Sequence, residues 1–367
     1  MRTRFTLLLC LPLRLVGQVL VPDLLTVLPA QMNETSGLIV VNSTIWTILD
    51  SGNPPALYAV DPDNGSVLRT VQLTGATNVD FEEITADANW VYIGDFGNNL
   101  GSRTDLRIYR IPRSALEDEG VTEVAVDTIH FTFSDQTDFT PAWNATNFDQ
   151  EAMIAVDDSL FLFSKRWLDE RTRLYALPAT PGDHVAEARG IFDTNGVITA
   201  ASWDGVDRLA LLGHEDDPGQ PFIWLFSNVE GHDFFGANAL RRNVDLFDHQ
   251  TEGIAWRTPD EWILSNEWTA AFPASLWSVE VGQTVLDRGS IGERPSTFPQ
   301  PADREVRISG LRGPTSVRIV DHTGREIASF RINGDGPIDT SSLVPGIYVM
   351  VIRDGSSLWR LPLMIVH

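Results

Sequence analysis

The sequence predicts an all-β chain: a five-bladed β-propeller followed by a small Ig-like β-sandwich. Three observations predict it. A two-strand phrase recurs about every 50 residues through most of the chain. A run rich in Gly and Pro interrupts the pattern at Ile291–Ala302. Beyond it come short alternating strands separated by turn signals, over about 70 residues.

The N-terminus comes first in order. Arg2 and Arg4 precede the apolar run Phe5–Leu13, and Gly17 and Gln18 follow. That is the pattern of a secretory signal peptide, placed at residues 1–18. Arg14 stops the run too early to span a bilayer. The one cysteine, Cys10, lies inside this segment, so the mature chain is expected to have no thiol chemistry.

The repeated phrase sets acidic or small residues before a first strand, then a second strand ending in Asp or Asn. Its copies begin at Glu34, at Asp80-Phe-Glu82-Glu83, at Asp149-Gln-Glu151, in degenerate form at Thr199–Trp203, and at Thr251-Glu252. Aligned on Glu34, Glu83, Glu151, Ala201 and Glu252, the spacings are 49, 68, 50 and 51 residues. A period near 50 suits a four-stranded blade. Third strands are legible at Leu57–Val60, Arg107–Ile111, Arg173–Leu177, Phe222–Phe226 and Ser275–Val279. The long second unit carries extra residues near Ser114–Val124, and six blades are expected if it conceals another. Leu24–Leu28, ahead of the first unit, is placed to complete the last one and remove the open sheet edges. The propeller is assigned to 19–291, the linker to 292–302 and the terminal domain to 303–367.

Net charge is −23, and it is uneven: residues 1–295 carry −24 and the rest +1. Lys165 is the chain's single lysine. An acidic body excludes a nucleic-acid binder, which needs a basic footprint. No later stretch has the roughly 18 apolar residues of a transmembrane helix. A monomer is expected.

The terminal segment contains Val317-Arg-Ile-Val-Asp-His-Thr-Gly324-Arg325, then Leu343-Val-Pro-Gly346-Ile-Tyr348. An apolar strand ending in Asp-x-x-Gly-Arg, followed by Leu-x-x-Gly-Ile-Tyr, resembles the sorting domain of the bacterial type IX secretion system. The resemblance implies an Ig-like domain recognised by the outer-membrane translocon, and a secreted or surface-displayed protein. The final strand departs from the family, which favours lysine there; this chain ends Leu361-Pro-Leu-Met-Ile-Val-His367. The body, through Glu34-x-Ser-Gly-Leu, Asp50-Ser-Gly-Asn53, Asp80-Phe-Glu-Glu-Ile and Ile93-Gly-Asp-Phe-Gly-Asn-Asn99, resembles bacterial propellers of the SdiA-regulated and NHL-like group. That resemblance implies five blades and an acidic site associated with calcium.

First strands line a propeller's channel, so their acids should converge. The candidate metal ligands are Glu34, Glu83, Glu151 and Glu252, with Asp50 and Asp95 from the loops after second strands. Asp80 and Asp149 are near enough to join. Strand alternation should prevent Glu82 and Glu83 from both facing the channel. Converging carboxylates either bind protons or take a cation, and a hard, oxygen-loving ion such as Ca²⁺ fits them. The competing expectation is that each Glu holds backbone N–H groups at its strand end without a metal. Asp61-Pro-Asp-Asn-Gly65 lacks the downstream Glu of a calcium loop and reads as a hairpin turn. No Gly-x-Ser-x-Gly elbow appears. His214 and His249 are the available bases, and Trp167 and Trp268 are placed to reach the rim.

The expected function is an exported binding or scaffold module with a surface protein or glycan ligand. The alternative is a calcium-dependent hydrolase of the lactonase or esterase kind.

Overall fold

A computed structural model describes residues 19–215, 219–282, 295–311, 313–320, 326–354 and 357–366. The signal-peptide assignment, residues 292–294 of the assigned linker and the Asp321–Arg325 turn lie outside these. The chain is all-β; among the described residues the single α-helix is one turn, Ser114–Glu117.

A strand at the start, β1 (Asp23–Val27), precedes four successive strands β2 (Thr35–Val41), β3 (Thr44–Leu49), β4 (Ala56–Val60) and β5 (Val67–Thr74). Next come β6 (Phe81–Ala86), β7 (Trp90–Asp95), β8 (Arg107–Pro112), the short β9 (Glu123–Ala125) and β10 (Asp127–Phe133). They are followed by β11 (Asp149–Val156), β12 (Ser159–Lys165), β13 (Arg171–Pro178) and β14 (Gly182–Asp193). A fourth series is β15 (Val197–Trp203), β16 (Arg208–Glu215), β17 (Gln220–Ser227) and β18 (Asn238–Asn243). The body ends with β19 (Thr251–Thr258), β20 (Glu261–Asn266) and β21 (Ser275–Glu280).

Sheet order follows the series. One sheet is β2-β3-β4-β5-β9, one is β15-β16-β17-β18, and one is β1-β21-β20-β19. The fourth has eight strands, β11-β12-β13-β14-β10-β8-β7-β6. It consists of two antiparallel runs joined where β10 and β14 pair in parallel. The extra length of the second series goes into the helical turn, into β9, which extends the first sheet beside β5, and into the loop 134–148. β1 pairs antiparallel with β21, so chain start and body end share a sheet.

The first strands β2, β6, β11, β15 and β19 contact one another in a closed cycle. The core lies between neighbouring series. Trp46 and Ile48 pack with Phe81 and Tyr109. Tyr92 and Phe131 pack with Met153 and Leu162, and Ile154 and Phe163 with Ile198 and Leu211. Leu212 and Ile223 pack with Ile254 and Trp262, and Ile263 and Leu276 with Leu38 and Ile45. Apolar residues on both faces of each sheet are thereby removed from water, which explains why first and second strands read as nearly continuous apolar runs.

The C-terminal segment forms two further sheets. β22 (Ser296–Phe298), β23 (Glu305–Ser309) and β26 (Gly336–Asp339) make one. The other is β25-β24-β27-β28, from Glu326–Asn333, Pro314–Val320, Gly346–Asp354 and Ser357–Ile365. Val306 and Ile308 of the first share one core with Val317, Ile319, Met350 and Leu363 of the second. Residues 296–298, inside the expected linker, are a strand paired with β23.

Candidate metal centre

Antiparallel pairing puts the start of each first strand and the end of its second strand at one mouth of the strand ring. Phe81 faces Asp95, Asp149 faces Lys165, and Thr251 faces Asn266. At this mouth every first strand breaks register. The breaks fall at Thr35/Leu38, Phe81/Glu83, Gln150/Ala152, Ile198/Ala200 and Thr251/Gly253. The residues left over include Glu82, Glu151, Thr199 and Glu252. A bulge interrupts alternation and re-aims its side chain. It therefore overturns the expectation that only one of Glu82 and Glu83 can turn inward. It also shifts the repeat by one residue: Glu82, not Glu83, is the counterpart of Glu151 and Glu252.

The two neighbours do different things. Glu83 is fully buried, and its carboxylate accepts from Ile84 N at 3.0 Å and from Ala201 N, on β15, at 2.8 Å. It ties first strands together across the ring, the strand-holding role. Burial raises its pKa against the pull of these N–H groups. Glu82 is 8% exposed, and among the described residues no donor reaches its carboxylate, whose oxygens are not among the wholly enclosed unpartnered atoms. One of its oxygens clusters with one of Asp50 and one of Asp80, the three within 4.8 Å of one another. None of the three is ion-paired to a described residue.

The other expected ligands are placed as follows. Asp95 is buried between Arg103 (3.1 Å) and Arg107 (2.9 Å), and it also accepts from Asp80 N at 3.0 Å. Its lone pairs are committed to loop architecture. Glu151 pairs with Lys165 at 3.2 Å. Glu252 is buried at the same mouth, close enough to raise the pKa of both Glu83 and Lys165. Glu34 is exposed and accepts from Asn53 Nδ2 at 2.6 Å. Of the six, the structure brings only Asp50 into the carboxylate cluster; Asp80 and Glu82 complete it. The signal for them was in the spacing Asp80-x-Glu82, repeated as Asp149-x-Glu151.

Asp149 is held by Asn98 N at 2.7 Å, Asn99 Nδ2 at 3.2 Å and Trp167 Nε1 at 2.8 Å. Asn266 bridges Pro273 O and Trp277 Nε1, and Ser265 Oγ donates to Ser36 O. These rim residues organise turns. Asp61 accepts from Asp63 N and Asn64 Nδ2 in the β4–β5 hairpin, as a turn residue does. His249 stacks on Phe272 with ring centres 3.8 Å apart, and His214 is buried in β16. Neither joins the cluster.

Electrostatics make the cluster costly without a cation. Burial, then the charges of Asp50 and Asp149, push Asp80 up to about 7. Burial and the charges of Glu151, Asp50 and Asp80 raise Glu82 well above the usual carboxylate range. Asp50 is raised as well, chiefly by burial. At neutral pH the cluster must hold protons or a cation. Gly97 leaves the space: a Cβ there would lie 2.1 Å from Glu82 Oε1 and 2.4 Å from Asp80 Oδ2. Three hard oxygen donors fit Ca²⁺, which takes 6–8 oxygens at about 2.3–2.6 Å, and suit no soft metal. A groove of about 580 Å³ lies elsewhere, along the β10–β14 seam beside His130, Asp183 and His184.

Residues 296–365 match the family model of the secretion system C-terminal sorting domain. The chain thus carries a type IX sorting signal, which directs it to the secretion system and out to the cell surface or the medium. Among the described residues no helix is long and apolar enough to cross a membrane. No curated protein matches the chain. Among solved structures it is similar to PorZ, described as an essential surface component of the type IX secretion system of Porphyromonas gingivalis. That likeness has 14% identity and a TM-score of 0.32, and covers 91% of this chain and 45% of the other. The chain therefore spans under half the length of that protein. It is also similar to an exo-β-1,3-galactanase from Phanerochaete chrysosporium, at 10% identity and a TM-score of 0.39, covering 89% and 93%.

Proposed function

We propose that residues 19–291 form a five-bladed propeller, closed by β1, that binds Ca²⁺ through Asp50, Asp80 and Glu82 and serves as an exported binding module. In this reading the two terminal sheets are the Ig-like sorting domain that delivers it. The resemblance to the SdiA-regulated and NHL-like propellers is part of the same proposal.

One observation carries the calcium reading. Glu82 is buried, no donor among the described residues reaches its carboxylate, and one of its oxygens lies within 4.8 Å of one of Asp50 and one of Asp80. Burying such a group is strongly unfavourable unless something neutralises it. Calcium would supply that charge. Asp50 and Asp80 reach it from the loops of two neighbouring series, so the ion would also fasten those series together. Of the two histidines named as candidate bases, His214 and His249, neither lies in the cluster, which supports a binding role over the hydrolase.

The test is thermal unfolding of the purified mature chain, first in chelator and then with calcium restored. A ligand at 100 times its Kd stabilises by about 2.7 kcal/mol. A rise in midpoint with calcium, absent in Glu82→Gln, is the expected result. An unchanged midpoint, with no calcium retained by the protein, would sink the reading.

A further inference from the structure

We infer that the mouth bearing Asp50, Asp80 and Glu82 binds a neutral polysaccharide, held between Trp143 and Trp268 with its hydroxyls on the bound calcium. This deepens the calcium reading above and rests on it.

Exposure is the first observation. Trp143 is 70% exposed and Trp268 is 52% exposed. With Phe139 and Phe247 they are the strongly exposed aromatic side chains among the described residues of the body. All four sit in loops that enter first strands or leave second strands, so all four belong to the acidic mouth. Leu100 and Leu168, both exposed, lie in loops of the same end. The opposite end and the outer strands carry scattered aliphatic residues instead.

Position is the second. The carboxylate cluster joins the first and second series: Asp50 follows β3 of the first and Asp80 precedes β6 of the second. Trp268 N donates to Asn33 O at 2.7 Å, which places it beside Glu34 on the Asp50 side. Trp143 is held on the other side. Its neighbours Ala142 and Asn144 donate through their backbone N–H to Leu100 O and Asn99 O, both at 3.0 Å. Asn99 in turn bonds Asp149, next to the cluster. The two exposed indoles thus stand on loops that lie on either side of the cation site around the ring.

Chemistry chooses the ligand. Three carboxylates leave calcium short of its 6–8 oxygens, and vicinal sugar hydroxyls complete such a shell as readily as water does. An indole face offers a flat apolar surface to a pyranose ring without needing a continuous apolar patch. A protein interface would need that patch at its centre, depleted of charge. Here the aromatics are divided by carboxylates. The charge of −27 on residues 19–291 disfavours anionic polymers. A neutral chain satisfies every feature.

Electrophoresis of the full mature chain through gels containing mannan, galactan, xylan or β-glucan tests this, with calcium and then with chelator. Calcium binding is measured separately by titration calorimetry. The expected result is retardation by at least one polymer in calcium, lost in chelator. Trp143→Ala and Trp268→Ala should each weaken it at least tenfold, with calcium binding and the melting midpoint unchanged. If calcium binds but none of the four polymers retards the protein, the carbohydrate assignment is wrong and a protein partner remains for this face. Retardation that both variants retain overturns it too. If calcium itself fails to bind, the earlier reading falls first and takes this one with it.

Discussion

Lys165 Nζ stands 3.2 Å from Glu151 Oε1, and both side chains are buried. The ammonium also lies over the Trp167 ring, 4.8 Å from its centre. Burial alone would lower the lysine's pKa. Glu151, Glu252, Asp149 and Glu82 outweigh that and hold it above its usual range. The only lysine in the chain is therefore a fixed internal cation inside a ring of acids. It neutralises the third-series acid, Glu151, while Glu82 and its two partners are left to be neutralised from outside.

Removing that cation should be damaging. Lys165→Met leaves Glu151 buried and unpaired, a change of about 3–5 kcal/mol for a buried pair. The loss is expected to shrink at acid pH, where Glu151 takes a proton. Adding Glu151→Gln should recover most of the stability. Chemical denaturation at pH 5 and pH 8 measures all three variants.

The metal-free protein should lose stability as pH rises. Asp80 is raised to about 7, so its protonated form is favoured by folding. That contribution is complete below the ordinary carboxylate range and disappears as pH climbs through about 7. Melting midpoints in chelator are expected to fall between pH 5 and pH 8. With saturating calcium the fall should shrink, because the ion replaces the protons of the cluster. Asp80→Asn should reduce the pH dependence in chelator, leaving the part carried by Glu82 and Glu83.

Calcium affinity should carry the opposite slope. If one proton must leave Asp80, affinity weakens about tenfold for each pH unit below about 7. Calorimetry in buffers of different ionisation enthalpy should show proton release on binding at pH 6 and much less at pH 8.

Gly97 is a steric test of the cluster. Gly97→Ala puts a methyl where Glu82 and Asp80 oxygens now lie, at 2.1 and 2.4 Å. The carboxylates must move, so calcium stabilisation should drop by at least tenfold in affinity. Gly52→Ala on the same rim meets nothing within 4 Å, although its φ of +79° strains an alanine. It should lower stability modestly and leave calcium affinity intact. The contrast separates the two causes.

Removing residues 296–367 should abolish export. Cell fractionation is expected to find the truncated body in the periplasm and the full chain at the surface or in the medium. Surface delivery of the truncated chain would assign export to another segment.

The strands themselves were legible because burial on both faces writes long apolar runs. Ile93, Phe163, Leu211 and Leu264 all sit in runs that announced their strands. Turn residues marked the ends, as at Asp61–Gly65. The tail was legible through its motif. The fourth strands β10, β14 and β18 were not, because half of each faces solvent and their composition is mixed. The sequence also could not say which acids meet. Strand alternation assigns Glu82 and Glu83 to opposite sides, and only the bulge at Phe81/Glu83 turns both inward. Asp50, Asp80 and Glu82 are neighbours because two series pack side by side, although Asp50 and Glu82 stand 32 residues apart in the chain. Local periodicity records what one strand buries. A register break and a contact between sheets leave no periodic trace, so the tertiary structure alone decided which carboxylates share a site.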